Sequence, residues 1–117
     1  MHEMGLACSV VTEVERVLSG FGPEARAVTV ALQVGKLRAV VPEALTFCFE
    51  AASIGTRAQG AVLLIEQIPV RVRCVRCARE WEAEALEFFC ADCDQPVQVL
   101  SGKELLLRTI EVDDAEE

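Results

Sequence analysis

Two closely spaced cysteine pairs, Cys74-Val75-Arg76-Cys77 and Cys90-Ala91-Asp92-Cys93, are separated by twelve residues. A Cys-x-x-Cys step bends into a tight turn that aims two sulfurs at one point. Two such turns can close four thiolates around a d¹⁰ ion at roughly 2.3 Å per Zn–S bond. Every coordination position is then filled by protein, so the site has no place for water or substrate and is structural in type. Zinc suits it first; iron in a rubredoxin-like centre suits the same tetrahedral sulfur set, and disulfides are the third reading. Arg71, Arg73, Arg76 and Arg79 surround the first pair. They read either as a nucleic-acid patch or as counter-charge to sulfurs whose charge exceeds a divalent ion's by about two. The acids Glu80, Glu82 and Glu84 that follow directly favour counter-charge.

The second group able to do chemistry lies at the other end. His2 is the one histidine in the sequence. A terminal imidazole is ordinarily a solvated, mobile side chain, but this one has chelating neighbours. The α-amine of Met1, the backbone nitrogen of His2 and its Nδ1 can hold one ion in fused five- and six-membered rings. The Glu3 amide or an outside ligand can take the fourth place. A planar nitrogen set favours Ni(II) or Cu(II) over zinc, provided that Met1 stays in place and unblocked. Elsewhere no histidine is paired with Ser or Cys and the carboxylates are scattered, so no enzyme is expected. Gly35-Lys36 is only superficially like the end of a phosphate loop, because the earlier glycine and the following Ser/Thr are missing. Cys8 and Cys48, in apolar surroundings, read as small buried hydrophobes.

The elements that must position these groups follow from periodicity. From Met4 to Ser19, Leu6, Val10, Val14, Val17 and Leu18 recur at helical spacing, with Glu13 and Arg16 opposite; Gly20 to Pro23 ends the helix. Residues 27–34 alternate as a strand, with Val28, Val30, Leu32 and Val34 on one face. Pro42 suits the first turn of a second helix that ends near Gly55. Residues 61–68 form a second strand, Arg71 to Arg73 continue extended, and 97–100 and 104–112 complete the set. Trp81 and the run Leu86 to Phe89 supply apolar cover for the sulfurs. The expected fold is α+β: two helices packed on a small mixed sheet, with an inserted zinc-knuckle lobe built on the four cysteines. The boundaries are 1–69 with 103–112 for the α+β domain and 70–102 for the lobe.

At 117 residues and 52% apolar composition, the chain has room for one core and a metal-stapled lobe. Its net charge of −8 is uneven, −2 over residues 1–69 and −6 over 70–117. Such a surface repels phosphate backbones, so no nucleic-acid partner is expected. No apolar run approaches the roughly 20 residues of a membrane span. No secretory signal is visible, so a cytoplasmic protein with reduced cysteines is expected.

Met1-His2-Glu3, the leading amphipathic helix, the Val34-Gly35-Lys36-Leu37 turn and the paired knuckles together resemble the HypA/HybF family of hydrogenase maturation nickel metallochaperones. The resemblance covers essentially the whole chain in the right order. It implies Ni(II) as transient cargo at Met1, His2 and Glu3, and structural Zn(II) at Cys74, Cys77, Cys90 and Cys93. It also implies delivery to the large subunit of [NiFe]-hydrogenase, or to urease, with a HypB-type GTPase as partner. Some family members are thought to complete the nickel square with a second histidine near the zinc lobe, and this sequence has none. The alternative, a rubredoxin-type electron carrier, usually has glycine after the second and fourth cysteines, where Ala78 and Asp94 stand here.

Overall fold

The computed structural model describes residues 3–84 and 88–114. Among these, α1 spans Glu3–Leu18, β1 Arg26–Gly35, α2 Pro42–Ala52, β2 Val62–Ile68, β3 Arg71–Cys74, β4 Glu80–Glu82, β5 Val97–Ser101 and β6 Leu105–Asp113. A 3₁₀ turn, Lys36–Arg38, follows β1. The first sheet has the order β2-β1-β6 and is mixed, with β1 parallel to β2 and antiparallel to β6. The second has the order β4-β3-β5 and is antiparallel. The α+β architecture expected from the sequence is the one observed.

Helix α1 forms because its apolar stripe has a sheet to cover. Leu6, Val10, Val14 and Leu18 are buried, and Glu13 and Arg16 pair on the solvent side. Cys8 does not behave as the sequence suggests. It is exposed, because it falls on the solvent stripe with Gly5 and Thr12; Cys48 is half-buried against the core. In α2, Pro42 occupies the first turn, where its missing N–H costs nothing, and Leu45 and Phe49 are buried beneath the helix. The helix stops at Ala52, short of Gly55.

Strand β1 buries Val30, Leu32 and Val34, but Val28, expected on the same face, is exposed. The reason is a bulge: Ala27 and Thr29 oppose the consecutive residues Val112 and Glu111 of β6, leaving Val28 as the extra residue. Strand β4, Glu80–Trp81–Glu82, is too short to read from sequence; it pairs with β3 through Val72 and Trp81.

The molecule is long, 61 × 25 × 16 Å, with a radius of gyration of 18.1 Å. A compact chain of this size would have about 13 Å. The excess arises because there are two cores, a large one under α1 and α2 and a small one of Val70, Val72 and Ala83. They meet at a neck held by backbone pairs and by two side chains that donate to backbone carbonyls. Glu104 O accepts from Gly35 N (2.7 Å) and Gly102 O from Leu37 N (2.9 Å). The Arg38 guanidinium donates to Lys103 O (2.8 Å), and Ser101 Oγ donates to Pro69 O (2.8 Å).

Candidate metal centre

The four knuckle cysteines converge. Sγ atoms of Cys74, Cys77, Cys90 and Cys93 all lie within 4.8 Å of one another, and Cys77 and Cys90 are 4.0 Å apart. Four sulfurs at about 2.3 Å from a tetrahedral centre stand roughly 3.8 Å from each other, so the donor set fits such an ion after a small contraction.

The two turns are built alike. Cys74 N donates to Arg79 O (2.9 Å) and Ala78 N to Cys74 O (3.1 Å); Cys90 N donates to Gln95 O (2.9 Å) and Asp94 N to Cys90 O (2.7 Å). In each, the residue after the second cysteine adopts a left-handed conformation, Ala78 at φ 64° and Asp94 at φ 54°. This is the conformation that glycine relieves. The left-handed turn is therefore formed here without glycine, with strain at Ala78 that Asp94 tolerates better.

Electrostatics explain why a cation belongs here. Backbone N–H groups of Cys77 (3.5 Å) and Arg76 (3.4 Å) point at Cys74 Sγ. The Cys77 N–H bond foremost, against the cost of burial, holds the Cys74 thiol down to about 7. Cys93 is pushed up to about 12, first by its hydrogen bond to Cys77, then by burial and by Cys74. A thiolate is thus easily formed at Cys74 and resisted at Cys93, and a divalent ion removes that resistance.

The arginines are only partly directed at this charge. Arg73 pairs with Glu80 (3.2 Å). Arg79 lies over the Trp81 ring, 4.8 Å from its centroid, and reaches Asp92 of the second knuckle (3.6 Å). Arg71 and Arg76 are exposed. The apolar cover over the sulfurs is thinner than the sequence suggests. Trp81 is half-buried against Val72, but Phe89 is 65% exposed, and Leu86 lies outside the described residues.

At the other end, Met1 and His2 lie outside the described residues. Glu3 opens α1, and its Oε2 accepts from Val41 N (3.1 Å), the residue that precedes α2. A carboxylate there also suits the positive end of the helix dipole. Because Val41 follows the 3₁₀ turn, and Arg38 of that turn reaches Lys103, the start of α1 sits at the neck end of the first sheet. Between the turn and the second sheet opens a cleft of about 560 Å³, lined among others by Lys36, Val70, Glu82 and Glu84. No sequence pattern points to the Glu3–Val41 contact, which is long-range.

The four-cysteine lobe, the mixed sheet under two helices and the start of α1 held at Glu3 together describe a metal-handling α+β protein. Residues 1–112 match the family described as "HypA: Hydrogenase/urease nickel incorporation, metallochaperone, hypA". The chain is 41% identical over 116 residues to the hydrogenase maturation factor HypA of Streptomyces avermitilis, covering 97% of this chain and 88% of that one. It is 41% identical over 113 residues to that of Desulfosudis oleivorans, covering 96% and 98%. The solution structure of the Ni metallochaperone HypA from Helicobacter pylori shares the fold, with a TM-score of 0.65 at 23% identity over 95% of this chain and 97% of that one. The chain belongs to the HypA family, whose members are nickel metallochaperones of hydrogenase maturation.

Proposed function

We propose that this chain carries Ni(II) at its N-terminus and hands it to the large subunit of a [NiFe]-hydrogenase, working in the cytoplasm with a HypB-type GTPase and catalysing no reaction itself. The nickel ligands are the Met1 amine, the His2 amide and imidazole, and a fourth group for which the Glu3 amide is one candidate. The observation that carries this reading is the anchoring of Glu3 on Val41 N–H, which gives a chelating terminus a fixed starting point. A site at a chain end has few contacts to break, so cargo can be selected tightly and still leave when an acceptor docks. Urease, named in the family description, would be served by the same cargo site.

Zn(II) held by Cys74, Cys77, Cys90 and Cys93 supplies no reactivity when bound; it closes the lobe, whose own core is too small to hold it shut. The N–H groups on Cys74 and the mirrored knuckle backbones orient the sulfurs. Residues 1–69 with 103–112 then form the nickel-handling domain and residues 70–102 the zinc lobe. The test is calorimetry with Ni(II) on protein with its native terminus, on His2→Ala, and on a form extended by a residue that blocks the amine. Both changes should abolish specific nickel binding and leave one zinc per chain. Equal nickel affinity in all three would place the cargo elsewhere.

A further inference from the structure

The first sheet has two edges, and they are treated differently. The β6 edge carries Arg108, Glu111 and Asp113, and its pairing with β1 is interrupted by two register shifts. Charges and bulges of this kind keep an edge from pairing with other chains. The β2 edge has no bulge and only one charge. Its seven residues, Val-Leu-Leu-Ile-Glu-Gln-Ile, pair with β1 in unbroken register. Its single charge, Glu66, is turned along its own sheet to accept a hydrogen bond from Gln33 (3.0 Å). Val62 and Leu64, on the open face of the sheet, are 56% and 52% exposed. Beside this edge, between α2 and β2, runs a groove of about 520 Å³ that Phe49, Ile54 and Leu63 help to line.

We propose that the free edge of β2 accepts an extended, basic segment of a partner protein as a fourth strand of the sheet. Backbone hydrogen bonds would run along 62–68, alternate polar and basic side chains would lie along the groove within reach of Glu50, and the apolar ones between them would cover Val62 and Leu64 on the open face. The charge selects the occupant. Glu50 lies on the groove, Glu43 stands two helical turns earlier on the same side of α2, Glu66 lies on the strand, and no Lys or Arg is among the groove's lining residues. A second copy of this chain would bring these carboxylates against their own counterparts, in a molecule already at −8. A strand carrying lysines meets them favourably. The surface is independent of where nickel binds.

The test uses the zinc-loaded full chain, isotope-labelled, and a synthetic nonapeptide in which valine alternates with lysine and threonine. Amide exchange measured by NMR should slow at alternate residues of 62–68 when the peptide is added. Added salt should weaken the effect. Glu50→Lys and Val62→Lys, both at exposed positions, should each weaken peptide binding about tenfold without changing zinc content or helix signal. Unchanged β2 exchange, protection at β6 instead, or equal protection by a peptide with glutamate in place of lysine would each overturn the proposal. So would sedimentation showing that the chain alone dimerises with β2 already protected, since the occupant would then be a second copy.

Discussion

Gly35→Ala tests the neck directly. Gly35 has φ −69° and ψ 145°, an extended conformation open to any residue, so the requirement for glycine is one of space. A Cβ there would stand 2.0 Å from Gly102 O, 2.1 Å from Gly102 C and 2.6 Å from Lys103 N. All three are backbone atoms, so no rotamer change relieves the clash. Reaching ordinary contact, about 3.5 Å, requires the two segments to part by roughly 1.5 Å. That separation breaks the Gly35–Glu104 and Leu37–Gly102 hydrogen bonds, which are 2.7 and 2.9 Å long. Orphaning buried backbone groups costs about 1–3 kcal/mol each, giving a loss of about 3–5 kcal/mol. This is a large share of the ~5–15 kcal/mol that holds a domain together. Urea unfolding followed by Trp81 fluorescence for the lobe and far-ultraviolet dichroism for the helices should show the midpoint falling by about 2 M. Gly60→Ala is the control. Its φ of 85° is strained for alanine but nothing lies within 4 Å of the new Cβ, so about 1 kcal/mol should be lost. A Gly35→Ala midpoint within about 0.5 M of the parent would refute the close-packed neck.

The remaining predictions concern the two metals. Cys74→Ser should lose zinc and unfold the lobe, because a structural zinc supplies on the order of 10 kcal/mol of local folding free energy; one zinc per chain with unchanged near-ultraviolet dichroism would contradict the four-sulfur site. Ala78→Val forces a β-branched side chain into φ 64° and should cost about 1–3 kcal/mol, read as faster zinc loss to a chelator than in the parent. Nickel should leave before zinc on acidification. Its proposed ligands need a neutral imidazole and a free amine, with ordinary pKa values of about 6.5 and 7.7–8.0, so protons displace it as pH falls through about 6. Metal content after dialysis between about pH 5.5 and 7.5 decides it, and zinc leaving first would show that the sites are not independent.

What is legible in the sequence is whatever repeats along one element. The α1 stripe, the alternation of β1 from Val30 to Val34, the strand over 61–68 and the paired knuckles each need only local spacing, and each is present. What fails needs a second segment. Val28 departs from the alternation because a bulge is defined by the partner strand. The knuckle backbone is misjudged when glycine serves as a proxy for a conformation that Ala78 and Asp94 adopt without it. Phe89 reads as cover for sulfur, yet its isolated bridge to Pro96 leaves the ring exposed. The neck leaves no apolar pattern at all, because it is held by backbone atoms at Gly35 and Gly102.

That neck bears on the proposed nickel site through a short chain of contacts. Glu3 is fixed by Val41, Val41 follows the turn at Lys36–Arg38, and the turn is fixed by Gly102, Lys103 and the end of β1. The links at Gly35 and Leu37 are backbone to backbone, whereas those at Glu3 and Arg38 join one side chain to a backbone group and depend on that side chain. A terminus would otherwise sample many positions, and ordering it on binding would cost roughly 1–2 kcal/mol per residue. Starting α1 from a pinned Glu3 limits that cost to the two residues before it. On this reading Gly35→Ala should weaken nickel binding even at temperatures where the helices remain folded, although Gly35 touches no proposed ligand. Glu3→Gln, which keeps an acceptor for Val41 N–H, should retain most of the affinity that Glu3→Ala loses. Nickel calorimetry on the three variants tests the chain link by link, and equal loss in Glu3→Gln and Glu3→Ala would show that the carboxylate acts by its charge and not by holding Val41.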